Sequence, residues 1–144
     1  MKILVYGSLN VDRRYTVDHF VMPGETLNSI ALGTFSGGKG LNQAIACKKA
    51  GSDVYMAGKI GADGAFLLAE LKDADVVTKH VSIDENEFSG HAIIQVDKNG
   101  QNCILLYGGT NRTITHEEVD EVLEDLSRGY YPSSERNQRY GLHH

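Results

Sequence analysis

Ile3, Leu4 and Val5 form a short apolar run that Gly7 stops, the pattern of a strand buried on both faces of an α/β sheet. Two weaker strand runs follow, around Tyr15 to Phe20 and Ser29 to Phe35, divided by the Pro23-Gly24 turn. Leu41, Ala44, Ile45 and residues 47–50 then suit a helix ending near Gly51; Val54 to Ala57 reads as a second core strand and Ala65 to Lys72 as a second helix. The stretch SGHAIIQVDKNGQNCILLYGGTN holds two strand runs joined through Asn99-Gly100, a strong hairpin signal. In THEEVDEVLEDL, Thr115 and Glu118 form a capping box, and Val119, Val122, Leu123 and Leu126 make one apolar face. Strands alternating with helices predict a parallel sheet, and the extra antiparallel strands predict an appendage to it.

Composition narrows the classes of function. The 144 residues suffice for one domain with a real core. A net charge of −5 and a pI near 5.6 offer no electrostatic motive for binding nucleic acid or an anionic membrane. No apolar run approaches the roughly 20 residues of a spanning helix, and the chain passes straight into a strand rather than a signal peptide, so the expected location is cytoplasmic. Cys47 and Cys103 stand apart from each other and from any metal-ligand spacing, and they read as buried reduced thiols. The pattern then breaks. Residues 1–126 read as structured, whereas 127–144, SRGYYPSSERNQRYGLHH, have neither helical nor strand period, and His143 and His144 match the start of a purification tag rather than a metal site.

Candidate chemistry centres on GTFSGGKGLNQA, residues 33–44. A phosphate-binding P-loop would use Gly33, Gly38 and Lys39, but Gly40 stands where that motif needs a metal-binding hydroxyl, and no strongly apolar strand precedes it. The simplest alternative is a glycine-rich turn before a helix with Lys39 solvated; in either case three glycines in four positions serve close backbone approach. Asn10 and Asp12, two apart in an extended segment just past the first strand, would project to one side at a carboxyl-end crevice, unless they only close an Asx turn.

Taken in order, GSLNVD, MPGET, GGKGLNQA, KIGADG and the hairpin ending in GGTN resemble the amino-terminal part of the ribokinase-like sugar kinases. The resemblance covers residues 1 to about 126, less than half of a complete member, and Lys39 with Gln43 favours the ribokinase branch over those of fructokinase or adenosine kinase. It implies a partial parallel-sheet α/β fold with an antiparallel β lid and its later strands missing. It also reverses the reading of the glycine turn, which would cradle a sugar instead of ATP. Gly37, Gly38, Lys39 and Asn42 match the family's contacts to sugar hydroxyls, with Asn10 offering both a donor and an acceptor, Asp12 accepting and Lys39 donating. Ala92 and Ile94 match apolar sugar-facing positions of the lid, whose strands commonly pair two subunits into a homodimer.

Gly61, Asp63 and Gly64 read as a turn with Asp63 capping the next helix, Gly108, Gly109 and Asn111 as turn-formers, and His91 as a satisfied lid histidine. Family members phosphorylate sugars with MgATP through a later Gly-Ala-Gly-Asp motif, which this sequence lacks. The resemblance therefore implies a parent activity converting D-ribose to ribose 5-phosphate, with this chain carrying the sugar half-site only, inactive alone and without a tight ATP or Mg site. A stand-alone sugar-binding or dimerising module, or a kinase for another sugar or a nucleoside, are the other readings. Read one base out of frame from Arg128, the tail permits an apolar strand ending in Glu, so a frameshift is the expectation for 127–144.

Overall fold

The structure, a computed structural model, describes residues 1–128; the expectations for the tail lie outside these from Gly129 onward. Two units are present, Met1–Ile114 and a second beginning at Thr115. In chain order the first runs β1 (Lys2–Tyr6), β2 (Asn10–Thr16), β3 (Ala31–Gly37), α1 (Lys39–Lys49), β4 (Asp53–Gly61), α2 (Ala65–Asp73), β5 (Val77–Asp84), β6 (Gly90–Val96) and β7 (Asn102–Tyr107), with 3₁₀ turns at Ala62–Gly64 and Gly109–Arg112.

β1, β4 and β5 form a parallel sheet in the order β1-β4-β5. Side chains that pair across it share a face, so Ile3 lies beside Val54 and Val5 beside Met56. Leu41 and Ala44 of α1 and Leu67 and Leu71 of α2 join this face in one core with Ile60 and Val81. Burying each of the larger side chains contributes about 1.5–3 kcal/mol. α1 ends as the sequence predicts: Gly51 takes φ 97 and, with Ser52, returns amide bonds to the carbonyls of Lys48 and Cys47.

The second sheet has the order β3-β2-β6-β7, antiparallel in its two outer pairs and parallel between β2 and β6. The predicted hairpin joins β6 to β7, with Gly100 at φ 78 and the Asp97 carboxylate accepting from the amides of Asn99 and Gln101. β2 and β3 sit earlier and later than the sequence pattern suggests. The Arg13-Arg14 pair hides a strand whose arginines stay exposed, the Arg14 guanidinium lying 4.8 Å above the Phe35 ring. β5 has no counterpart in the expectations: its β-branched residues are interrupted by Lys79 and His80, and only Val81 is buried. Cys103 corrects the expectation of buried thiols, since β7 is an edge strand exposed at every residue, while Cys47 is half-buried.

The second unit's described part is α3 (His116–Ser127). The amide of Glu118 donates to Thr115 Oγ1 at 3.2 Å, as the predicted capping box requires of its N-cap threonine. Its apolar face is narrower than expected: Val122 is buried, but Leu123 is 50% exposed. Among the described residues no helix is long and apolar enough to cross a membrane.

Candidate functional site

The site begins where β1 gives way to β2. Ser8, which sequence reasoning did not single out, organises this bend. Its hydroxyl accepts from the Lys39 amide at 3.1 Å and its carbonyl from the Leu41 amide at 3.1 Å, so it caps α1 from a distant part of the chain. α1 has no cap from its own neighbours, because Gly38, at φ 97, has no side chain to supply one. Any Cβ on Gly38 would lie 2.6 Å from the Ser8 carbonyl oxygen, and one on Gly40 would lie 2.6 Å from the Gly7 carbonyl carbon. The glycines of the turn thus let the helix start press against the β1–β2 backbone.

This arrangement decides against a P-loop. The amides of Lys39, Leu41 and Asn42 are bonded to Ser8 Oγ, the Ser8 carbonyl and the Gly38 carbonyl, so they are not aimed at a phosphate. No group of three His, Cys, Asp or Glu able to hold a metal ion occurs among the described residues.

They do bring polar side chains together. Asn10 and Asp12 lie on one side of β2, both half-buried, with Gly37 paired to Asn10 and Ala92 paired to Asp12. The Asp12 carboxylate lies across Gly37, where a Cβ would come 2.3 Å from Oδ2. Ala92 and Ile94 are buried on the same face of β6, so they share one face of the sheet with Asn10 and Asp12. Lys39 and Asn42 stand exposed on the first turn of α1. A lysine there opposes the helix dipole by about 0.3–1 kcal/mol. Burial pushes the Asp12 carboxyl up from the usual carboxylate range, and the neighbouring Arg14 charge opposes this.

Other expected roles resolve differently. Asp63 is not a helix cap: its Oδ1 accepts from the Ser89 amide at 2.9 Å, while Ser89 Oγ accepts from the Gly61 amide at 2.8 Å, tying the KIGADG turn to the start of β6. The helix behind it starts without a side-chain cap. His91 is satisfied as predicted, Nδ1–H donating to the Ser89 carbonyl at 3.0 Å, and its ring lies 5.0 Å from that of Tyr107. Asn111 is more than a turn-former. Its side chain bonds the Leu9 amide, the Leu9 carbonyl and Asn10 Oδ1 at 3.1, 3.3 and 2.7 Å. The 102 residues separating it from Leu9 conceal this from any local reading of sequence.

A parallel sheet backed by two helices, a four-stranded lid and a glycine turn between them define a ribokinase-like α/β fold. The comparisons with known proteins agree with it. Residues 1–131 match the model for the pfkB family of carbohydrate kinases, and the chain belongs to that family. It is 42% identical to the ribokinase of Staphylococcus aureus over 121 residues, 82% of this chain and 40% of that protein. Its fold is similar to that of the crystal structure of Cryptococcus neoformans ribokinase in complex with ADP, at TM-score 0.72 and 41% identity, covering 76% of this chain and 35% of the other. Arabidopsis thaliana ribokinase complexed with ribose and ATP is similar at TM-score 0.68 and 34% identity, covering 75% and 36%. The chain thus spans less than half the length of the relatives it matches.

Proposed function

We propose that this chain forms the sugar-binding half and lid of a kinase that converts D-ribose to ribose 5-phosphate with ATP. The observation that carries the reading is the pairing of Asn10 and Asp12 on one side of β2, against the glycine turn and above the apolar Ala92. A small polyol needs such a lining, because each hydroxyl taken out of water is costly to leave unpaired. Asp12 accepts from one or two hydroxyls, Asn10, Lys39 and Asn42 supply further polar contacts, Gly37 and Gly38 let the ring approach the backbone, and Ala92 with Ile94 covers its apolar face. MgATP supplies the phosphoryl group in the reaction; the described residues of this chain bind and orient the sugar. The chain alone therefore holds ribose without phosphorylating it. The exposed thiol of Cys103 suits a reducing compartment, the cytoplasm. Two chains pair through the lid, where β7 exposes an unbroken strand.

Calorimetric titration of ribose and of ATP, separately, tests this. Ribose is expected to bind and to lose its affinity in Asp12→Ala, with no tight ATP binding and no turnover in a coupled assay. Tight ATP binding in the absence of sugar, or turnover that stays with the purified chain, would overturn the proposal.

A further inference from the structure

We propose that Asn111 is a positioning residue that fixes which end of the Asn10 amide is left for the sugar; the idea rests on the sugar site proposed above. The orientation of Asn111 follows from backbone groups that have only one role each. The Leu9 N–H can only donate, so the Asn111 atom 3.1 Å from it is the oxygen; the Leu9 carbonyl can only accept, so the atom 3.3 Å from it is the nitrogen. That same nitrogen lies 2.7 Å from the Asn10 side chain, whose facing atom must therefore be the acceptor, Oδ1. Turning the Asn10 amide over would set two NH₂ groups against each other.

Asn10 Oδ1 is thereby turned toward Asn111 and accepts its hydrogen bond, whereas among the described residues Asn10 Nδ2 donates no hydrogen bond. From sequence Asn10 offers both a donor and an acceptor with either end toward the sugar; Asn111 fixes the orientation, so that Nδ2, with both its protons unused, is the end turned away from Asn111. Recognition becomes polarised, with Asn10 and Lys39 donating to hydroxyl oxygens and Asp12 accepting hydroxyl protons. Gly90 belongs to the same device, because a Cβ there would come 2.0 Å from Asn111 Nδ2 and 2.7 Å from Asn10 Oδ1.

Asn111→Asp in the full chain keeps an acceptor for the Leu9 amide but removes the donor to Asn10, which then turns its own NH₂ toward the new carboxylate. Ribose affinity is expected to fall at least about tenfold, with circular dichroism and melting near those of the parent chain. In an Asn10→Ala background the same substitution should cost nothing further, because it acts through Asn10. Independent, multiplying losses in the double variant, or an unchanged affinity in Asn111→Asp, would overturn the proposal. A second measurement needs neither sugar nor variant: side-chain amide hydrogen exchange in the unliganded chain should find Asn111 Nδ2 protected and Asn10 Nδ2 open. The reverse order would overturn the assigned orientation. A chain that binds no ribose while showing the expected exchange order refutes the sugar reading and upholds the orientation.

Discussion

Gly37 and Gly40 stand in the same turn but oppose an added methyl for different reasons. At Gly37 the Cβ would meet the Asp12 carboxylate at 2.3 Å, and a carboxylate can swing aside. At Gly40 it would meet the Gly7 backbone at 2.6 Å, and backbone cannot. Gly37→Ala should keep its melting midpoint close to the parent's but lose ribose affinity about tenfold, equivalent to about 1.4 kcal/mol. Gly40→Ala should lose about 1–3 kcal/mol of stability, as overpacked sites do. Denaturant unfolding and ribose titration of the two variants separate these outcomes, and identical behaviour in both would contradict the distinction.

Asp12 carries a second residue-scale consequence. Its carboxyl is pushed up by burial, so folding disfavours ionisation relative to the unfolded chain, and the ionised form costs stability at pH values above its unfolded pKa. The ionised form accepts from sugar hydroxyls more strongly and with both oxygens. Ribose affinity should therefore be flat near neutrality and fall on acidification through a pKa above the usual carboxylate range. Asp12→Asn should weaken binding, flatten this pH profile and raise the melting midpoint at neutral pH. A profile in the parent chain that persists unchanged in Asp12→Asn would assign the titration elsewhere. The Asn10 and Asp12 positions were legible from sequence because strand alternation is local. Ser8 and Asn111 were not, since their partners are main-chain groups of segments far along the chain.

Among the elements, the connection between β2 and β3 holds its shape through charge. His19 donates to Asp18 from Nδ1 at 3.0 Å and to Glu25 from Nε2 at 2.9 Å, and Lys98 reaches Asp18 at 3.9 Å. Both ring nitrogens face carboxylates, so the Asp18 hydrogen bond and then that to Glu25 pull the imidazole pKa up, while the His19 hydrogen bond holds both carboxyls down. A raised histidine stabilises below its unfolded pKa and loses that contribution as pH rises through the folded one; the lowered carboxyls lose theirs as pH falls through their folded values. The clip should thus be firm in the mildly acidic to neutral range. Glu25 also accepts from the Met22 amide at 3.2 Å, which offers a reporter. Exchange of that amide, corrected for intrinsic rate, should quicken at alkaline pH in the parent and lose the pH step in His19→Gln. Global melting should not move, because these pairs are exposed.

Elements were legible to different degrees for physical reasons. The β6–β7 hairpin, α1 and α2 announce themselves through a turn dipeptide and helical spacing. β2 and β5 do not, because each is stabilised by neighbours on the sheet while carrying charge on its exposed positions. Asp63 misled for a related reason: its position before α2 suits a cap, but the Ser89 amide competes for the same oxygen.

For the molecule as a whole, the lid presents an exposed apolar surface, which the proposed pairing of two chains would cover. Ile104, Leu105 and Leu106 are 54, 67 and 69% exposed on an edge strand, and a groove of about 480 Å³ lies between Phe88, His91, Ile93 and Tyr107. Sedimentation at micromolar concentration should return a species larger than one chain, and Leu105→Lys should shift it toward the monomer. A parent chain that sediments only as monomer would count against pairing through the lid.

β2 belongs to both halves of the design, since its first residues line the cleft and its last lie about 20 Å away at the far end of the lid. Its near end would thus lie beside the proposed sugar and its far end at the tip of the lid. A tilt of about 10° about Asn10 would sweep Thr16 through about 3–4 Å at that arm length and Asp12 through about 1 Å. In the proposed sugar site, the end of the strand that would hold the ligand is thus the end that such a tilt would move least.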